Sequence, residues 1–418
     1  IEKWSFAANV FGKNQSVFSA TQHERHKILR SALNPSFSKR AIYEWDSMLR
    51  RNTDKVLSDV RQAKENGSVL NISDLCSAFS GDVIGEVTAG SSFGLLDDLE
   101  FAAEWREAWI GALGNGAFNK QFPGVMRWMR KLPMAVAVKL DPKIPRRVRV
   151  FEAIVDTTSK RIKNTRAKLS TSALQSSQGS LEGKVVVDDL IQGDLPPPEK
   201  LDNRVMQEAI NLVAAGSITT AVILTAAFYH LVADSKLLNR LQEELLDAFK
   251  DISPNALPSL TQLEQLPFLT AVLKETLRLH YGIMERLPVI HQDEDLLYSH
   301  YKIPRGTPVS MSSFLMHNDP IFGRNSDVFD PDRWLSSDTS KMDRFLTVFG
   351  RGSRACLGVN LAWAEMYTFI AAVFWPAEKL RYRLYETDMS DVDVQRDLFV
   401  ALPKLDSKGV RVMVETSS

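Results

Sequence analysis

Cysteine is scarce: the 418 residues hold two, Cys76 and Cys356. Two thiols so far apart build no disulfide framework, which suits a reducing, cytosol-facing setting. An excess of either charge is also lacking. Lysine plus arginine number 51 and aspartate plus glutamate 51, so no global field draws nucleic acid to the chain. No Gly-x-Gly-x-x-Gly fingerprint for a flavin or nicotinamide occurs, no Cys and His lie at zinc spacing, and no repeat or long low-complexity tract divides the chain. The first residue is Ile1 rather than methionine, so an N-terminal segment is expected to be missing, and the absence of a signal or anchor excludes nothing. Hydrophobic residues, at 44%, suffice for a large core. The length would allow two or three domains, but with no break visible we expect one, residues 1–418. Cys76, in an apolar helical stretch, is expected to fill core.

The other cysteine stands in Phe349-Gly350-Arg351-Gly352-Ser353-Arg354-Ala355-Cys356-Leu357-Gly358. The glycines permit tight turns and close approach to a flat partner. Arg351 and Arg354 are expected to surround the sulfur with positive charge and favour the thiolate. Leu361 to Tyr367 reads as a helix start, whose N-terminus would stabilise the anion further. Such a thiolate suits an axial ligand to haem iron. A structural cysteine in a glycine turn, or a redox or nucleophilic one, remains open from the loop alone.

Residues 203–231, introduced by Pro196-Pro197-Pro198, form the most persistent helical stretch, about 43 Å long at 1.5 Å per residue. No residue from Leu212 to Ala233 is formally charged, so a membrane span and a core helix both fit. Gly216, Ser217, Thr219, Thr220, Thr225 and His230 load it with polarity and favour the core. Ala215 and Gly216 would leave room for small ligands, and a Thr219 hydroxyl can bond a carbonyl one turn back and open the helix. Ile218, a β-branched hydrocarbon, can relay no proton.

Elsewhere the signals are weaker. Residues 40–95 read as largely helical. His26 and Arg30, four apart, share a helix face and could be no more than a solvated basic face. Thr261-x-x-Glu264 suggests a capping box and Pro267 the first turn of a helix to His280, on which Glu275 and Arg278 can pair. His317 could pass for a ligand but reads better as structural. The apolar and basic region 117–150 suits a membrane surface or a solvated loop. Residues 170–183 read as a mobile loop, Asp295–Pro304 and Gly306–Ser312 as a small sheet, and Phe399–Leu405 as a hairpin.

Phe-x-x-Gly-x-Arg-x-Cys-x-Gly, with every fixed position filled, resembles the haem-binding signature of the cytochromes P450, the haem-thiolate monooxygenases. Ala215-Gly216-Ser217-Ile218-Thr219-Thr220, Glu275-x-x-Arg278 and Pro331-Asp332-Arg333-Trp334 resemble further motifs of that family, in order. Ala32-Leu33-Asn34-Pro35 and Leu402-Pro403-Lys404-Leu405 are similar to fungal secondary-metabolism members. The resemblance implies a mainly α fold with small β-sheets, a triangular prism of helices around a buried haem b (iron protoporphyrin IX). It implies Cys356 as the iron ligand and Phe349, Gly350, Arg354, Leu357, Gly358, Ala362 and Ala215 as haem contacts. His26, Arg30 and Arg354 would take the propionates, since Val289 stands where many relatives have a second arginine. Thr219 and Thr220 would serve oxygen activation, and Glu275, Arg278 and Arg333 would form a buried structural triad. It also implies O2 and NADPH as co-substrates through an NADPH-cytochrome reductase, a hydrophobic small-molecule substrate and a monomer. The site implied is the cytosolic face of the endoplasmic reticulum membrane, and the anchor helix and first strands would be missing. Ile218 replaces the family's usual acid. That leaves three outcomes: hydroxylation through another water path, poor coupling, or a non-oxygenating rearrangement, dehydration or coupling. A haem-binding carrier or sensor without turnover and a haem-free structural protein are the readings from other classes.

Overall fold

The computed structural model describes residues 1–8, 15–129, 132–172, 185–250, 257–336 and 338–416. Its longer helices are α1 (His23–Leu33), α2 (Asp46–Asn66), α3 (Ile72–Ala89), α4 (Leu99–Gly114), α5 (Ile144–Ser172), α6 (Asp202–Ala233), α7 (Ser235–Phe249), α8 (Pro267–His280) and α9 (Val359–Val373). Among the described residues, ten short strands lie around them: β1 (Glu2–Lys3), β2 (Leu70–Asn71), β3 (Val289–Ile290), β4 (Leu296–Tyr298), β5 (Tyr301–Ile303), β6 (Pro308–Val309), β7 (Leu380–Leu384), β8 (Arg396–Leu398), β9 (Val400–Leu402) and β10 (Arg411–Thr416). They pair antiparallel as β1-β3-β6, β2-β10-β7 and the hairpins β4-β5 and β8-β9.

The framework centres on α3 against α6. Nearly every residue of α3 is buried, Asp82 among them, its carboxylate accepting from the Phe93, Leu95 and Leu96 amides. Asn71 caps its start by accepting from the Ser73 and Asp74 amides, and Gly90, at φ +71°, ends it in the left-handed region. A Cβ on Gly216 of α6 would come within 2.6 Å of Ile84 on α3. Gly216 is therefore a contact point between two helices, not room above a bound group as expected. Ser80 Oγ spans the same seam, donating to the carbonyls of Cys76 and Ser217 at 2.9 and 2.8 Å. Of the most apolar window of α6, 72% is buried inside the protein, which fits the core reading of this helix.

Several local expectations shift. The capping box forms two residues earlier, with Ser259 and Gln262 in place of Thr261 and Glu264. Ser259 precedes the first helical turn, where its hydroxyl can meet the free Gln262 amide. The late hairpin runs from Arg396 to Leu402, earlier than expected, with Phe399 alone at its tip at φ +78°. Region 117–150 contains short helices, Gly116–Gln121, Pro123–Met129 and Met134–Leu140, and the start of α5. The loop expected at 170–183 lies outside the described residues from 173 onward, while α5 continues through Ser172.

Candidate active site

The thiol is set by a turn and a helix start. The Cys356 amide donates to the Phe349 carbonyl at 2.7 Å and the Gly350 amide to Thr347 at 2.8 Å. This turn is possible because Gly350 and Gly352 take φ of +65° and +74°. Helix α9 then begins at Val359, with Gly358 as its uncapped N-cap. Cys356 is solvent-accessible, yet enough protein lies around it that burial pushes its thiol up. The Gly358 amide and the Arg30 charge pull in the other direction.

This corrects the expected charge environment. Arg351 turns away and donates to the carbonyls of Asp343 and Arg344 at 2.6 and 2.9 Å. Arg354 donates to Ala20 and Thr21 carbonyls at 2.8 Å each. The cation beside the sulfur is Arg30, which donates to the carbonyls of Ala355 at 2.6 Å and Cys356 at 3.3 Å and to Asn34 Oδ1 at 2.7 Å. Those carbonyls sit in a loop with no helical partner for them, so a guanidinium fork satisfies them. Arg30 thus clamps the thiol loop through its carbonyls. Before any metal binds, the sulfur is a thiol whose proton a metal would displace.

On α6, Thr219 Oγ1 donates to the Ala215 carbonyl at 2.7 Å. Ala215 is exposed and Thr219 partly so, although Leu212, Val213, Ser217 and Ile218 around them are buried. An exposed alanine in mid-helix with buried flanks marks an opening along α6. Thr220 does not share that opening, being 5% exposed on the packed side. Ile218, 4% exposed, also belongs to the hydrophobic core. Phe349, Leu357, Gly358 and Ala362 are half-buried about the thiol loop and the start of α9.

Behind the site, Glu275 and Arg278 of α8 are fully buried. The Glu275 carboxylate accepts from Arg278 Nη2 at 2.7 Å, Arg333 Nε at 3.0 Å, Trp334 Nε1 at 2.8 Å and the Asp330 amide at 3.0 Å. His317 has no free nitrogen. Nδ1 donates to the Arg278 carbonyl at 2.9 Å and Nε2 accepts the Thr347 amide at 2.9 Å, a tautomer assigned from its partners. Among the described residues no cluster of three or more His, Cys, Asp or Glu could hold a metal ion.

Lysine 3 escaped the sequence reading. It faces Val289 across β1 and β3, a pairing no local pattern reveals. Lys3 and His26 are buried at 7% and 6% exposure. Burial first, then the charges of Arg354, Arg30, Lys3 and His23, hold His26 down to about 4. Arg354 Nε and His23 Nδ1 are buried without hydrogen-bond partners. A thiol at a helix start, an opening at Ala215 and basic groups without an ion pair, buried Lys3 and half-buried Arg354, form the donor set for a metal-centred dicarboxylate. The residues therefore fit a haem.

A profile of the family described as Cytochrome P450 matches residues 2–388. Tryptophan 6-hydroxylase fscE of Fusarium equiseti is 38% identical over 99% of this chain and 79% of its own length. The fusicoccadiene C-8 hydroxylase of Alternaria brassicicola is 34% identical over 96% and 76%. The monooxygenase sdnE of Sordaria araneosa is 32% identical over 99% and 80%.

Proposed function

The chain belongs to the cytochrome P450 family, oxidoreductases with a haem-iron cofactor, and from that premise we propose that it inserts one atom of O2 into a hydrophobic small molecule of secondary metabolism. The observation that carries this reading is Cys356, an accessible thiol in a glycine turn at the start of α9 with the Gly358 amide directed at it. When bound, haem b supplies the binding and reductive activation of dioxygen.

The chain's residues then do the following. Cys356 ligates the iron, and Arg30 keeps the ligand loop rigid through the Ala355 and Cys356 carbonyls. Phe349, Gly350, Leu357, Gly358, Ala362 and Ala215 line the cofactor. Thr219 is the hydroxyl that holds water at the opening and hands a proton on. Its hydrogen can stay on Ala215 or turn to a water, because a hydroxyl both donates and accepts. Thr220, on the packed side, supports the helix. Ile218 contributes packing, so a proton reaches the opening by Thr219 and water rather than by an acid at that position.

Electrons come from NADPH through an NADPH-cytochrome reductase, and the chain works as a monomeric single domain. Exposed Phe122, Trp128, Met134 and Leu140, at 53, 63, 53 and 68%, support contact with a membrane surface, on the cytosolic face of the endoplasmic reticulum. The names of two relatives specify tryptophan and fusicoccadiene, which sets the panel for a test. Incubation of the haem-loaded protein with reductase, NADPH, isotopically labelled dioxygen and such compounds should yield a product carrying one labelled oxygen. Product formed without consumption of dioxygen and NADPH contradicts the reading.

A further inference from the structure

Lys3 is a buried amine for whose charged form the described residues supply no ion-pair partner. Its ammonium donates to the Phe18 carbonyl at 2.5 Å and lies 3.6 Å from the centre of the Phe18 ring. One carbonyl and one ring face replace water poorly for an ammonium. Among the described residues no carboxylate lies within ion-pair distance of it. Glu285, the acid whose charge reaches Lys3, is paired with Lys120.

Arg354 is tied to it. The Thr21 carbonyl accepts from the Lys3 amide at 3.0 Å and from Arg354 Nη2 at 2.8 Å. Arg354 also keeps its buried Nε without a partner. Two neighbouring basic groups with unmet donors, buried Lys3 and half-buried Arg354, whose nearest negative charge is that of Glu2, are costly by themselves and become favourable once an anion joins them. The third group facing them, His26, is neutral and offsets neither. Across from Lys3, β3 presents the hydrocarbon of Val289. A haem brings two carboxylates, and Arg30 is already committed to the thiol loop.

We propose that Lys3 and Arg354 together hold one haem carboxylate, Lys3 delivering from β1 the charge that Val289, directly opposite, cannot deliver from β3. The inference rests on the haem reading of Cys356. It makes haem uptake proton-linked. Burial, then the charge of Arg354, holds Lys3 down to about 7, with Glu285 acting in the other direction. Near pH 8 the empty protein therefore carries Lys3 mostly neutral, and an arriving carboxylate pulls a proton onto it.

Hemin and hemin dimethyl ester bind the same sulfur, so the thiol proton cancels between them, while only hemin brings carboxylates. Calorimetry at pH 8 in two buffers should show hemin taking up about one proton more than the ester, an excess that Lys3→Met abolishes. Lys3→Met should also speed hemin transfer to excess haem-free globin by about tenfold or more, the loss expected for a charge-assisted hydrogen bond. Transfer of the ester should not change, and Lys3→Arg should restore retention of hemin. Equal proton uptake for hemin and ester in the unmodified protein, or unchanged hemin transfer in Lys3→Met, overturns the proposal. Failure of the haem reading would look different: the unmodified protein would take up no hemin with a thiolate-ligated spectrum.

Discussion

Ile218 and Gly216 are neighbours whose meaning depends on which way α6 is turned. Ile218 is 4% exposed among hydrocarbons, so a carboxylate there has no partner. Ile218→Glu should lower stability by several kcal/mol, the order expected for burying an unpaired polar group, and thermal unfolding reads it. An unchanged melting temperature would mean that position 218 reaches water. Gly216→Ala pushes a methyl to 2.6 Å from Ile84 and should cost about 1–3 kcal/mol, as overpacking usually does. That loss should appear in denaturant unfolding of the haem-free protein, because the clash is between helices. If only the loaded enzyme were affected, Gly216 would belong to the opening after all.

At the scale of elements, α8 is locked to the segment after it by one carboxylate. Glu275 serves two guanidiniums, an indole and an amide, so removing it strands buried positive charge. Glu275→Ala should cost about 3–5 kcal/mol, seen as loss of cooperative unfolding at ordinary temperature. Histidines on and near this element predict a pH dependence. Burial holds His280 and His317 down from 6.5 to about 4. A depressed folded-state value means stability is complete above about 6.5 and is lost as pH falls toward 4. The melting temperature should fall across that window. His317→Gln should flatten the slope, since protonating His317 Nε2 opposes the Thr347 amide that it accepts. A melting temperature constant from pH 7 to 4 would contradict this account.

Over the whole molecule, what could be read from the residues followed sequence distance. The Cys356 turn is spelled within ten residues, and the charge of Glu275 and Arg278 within one helical turn, so both were legible. Arg333 joined them through a motif matched in order. The rotation of α6 was not legible, because Gly216 acquires its role from Ile84 on another helix. Nor was Lys3 legible, because strand pairing to Val289 spans most of the chain. Charge around the sulfur was misjudged for a related reason: Arg351 and Arg354 adjoin Cys356 in sequence, yet Arg30, from α1, reaches it. Sequence neighbours in a tight turn point in different directions. The exposed apolar side chains near residue 128 make a prediction at the same scale. Trp128→Ser with Leu140→Ser should weaken partition onto phospholipid vesicles by about tenfold or more, each side chain giving up about 1.5–3 kcal/mol of burial; unchanged partition would remove this face from the membrane contact.

The most direct measurement is the carbon monoxide spectrum of the reduced, haem-loaded protein beside its Cys356→Ser variant. A strongly red-shifted Soret band that the variant loses is the predicted result. Absence of that band in the unmodified protein, or its persistence in Cys356→Ser, would contradict ligation by this sulfur.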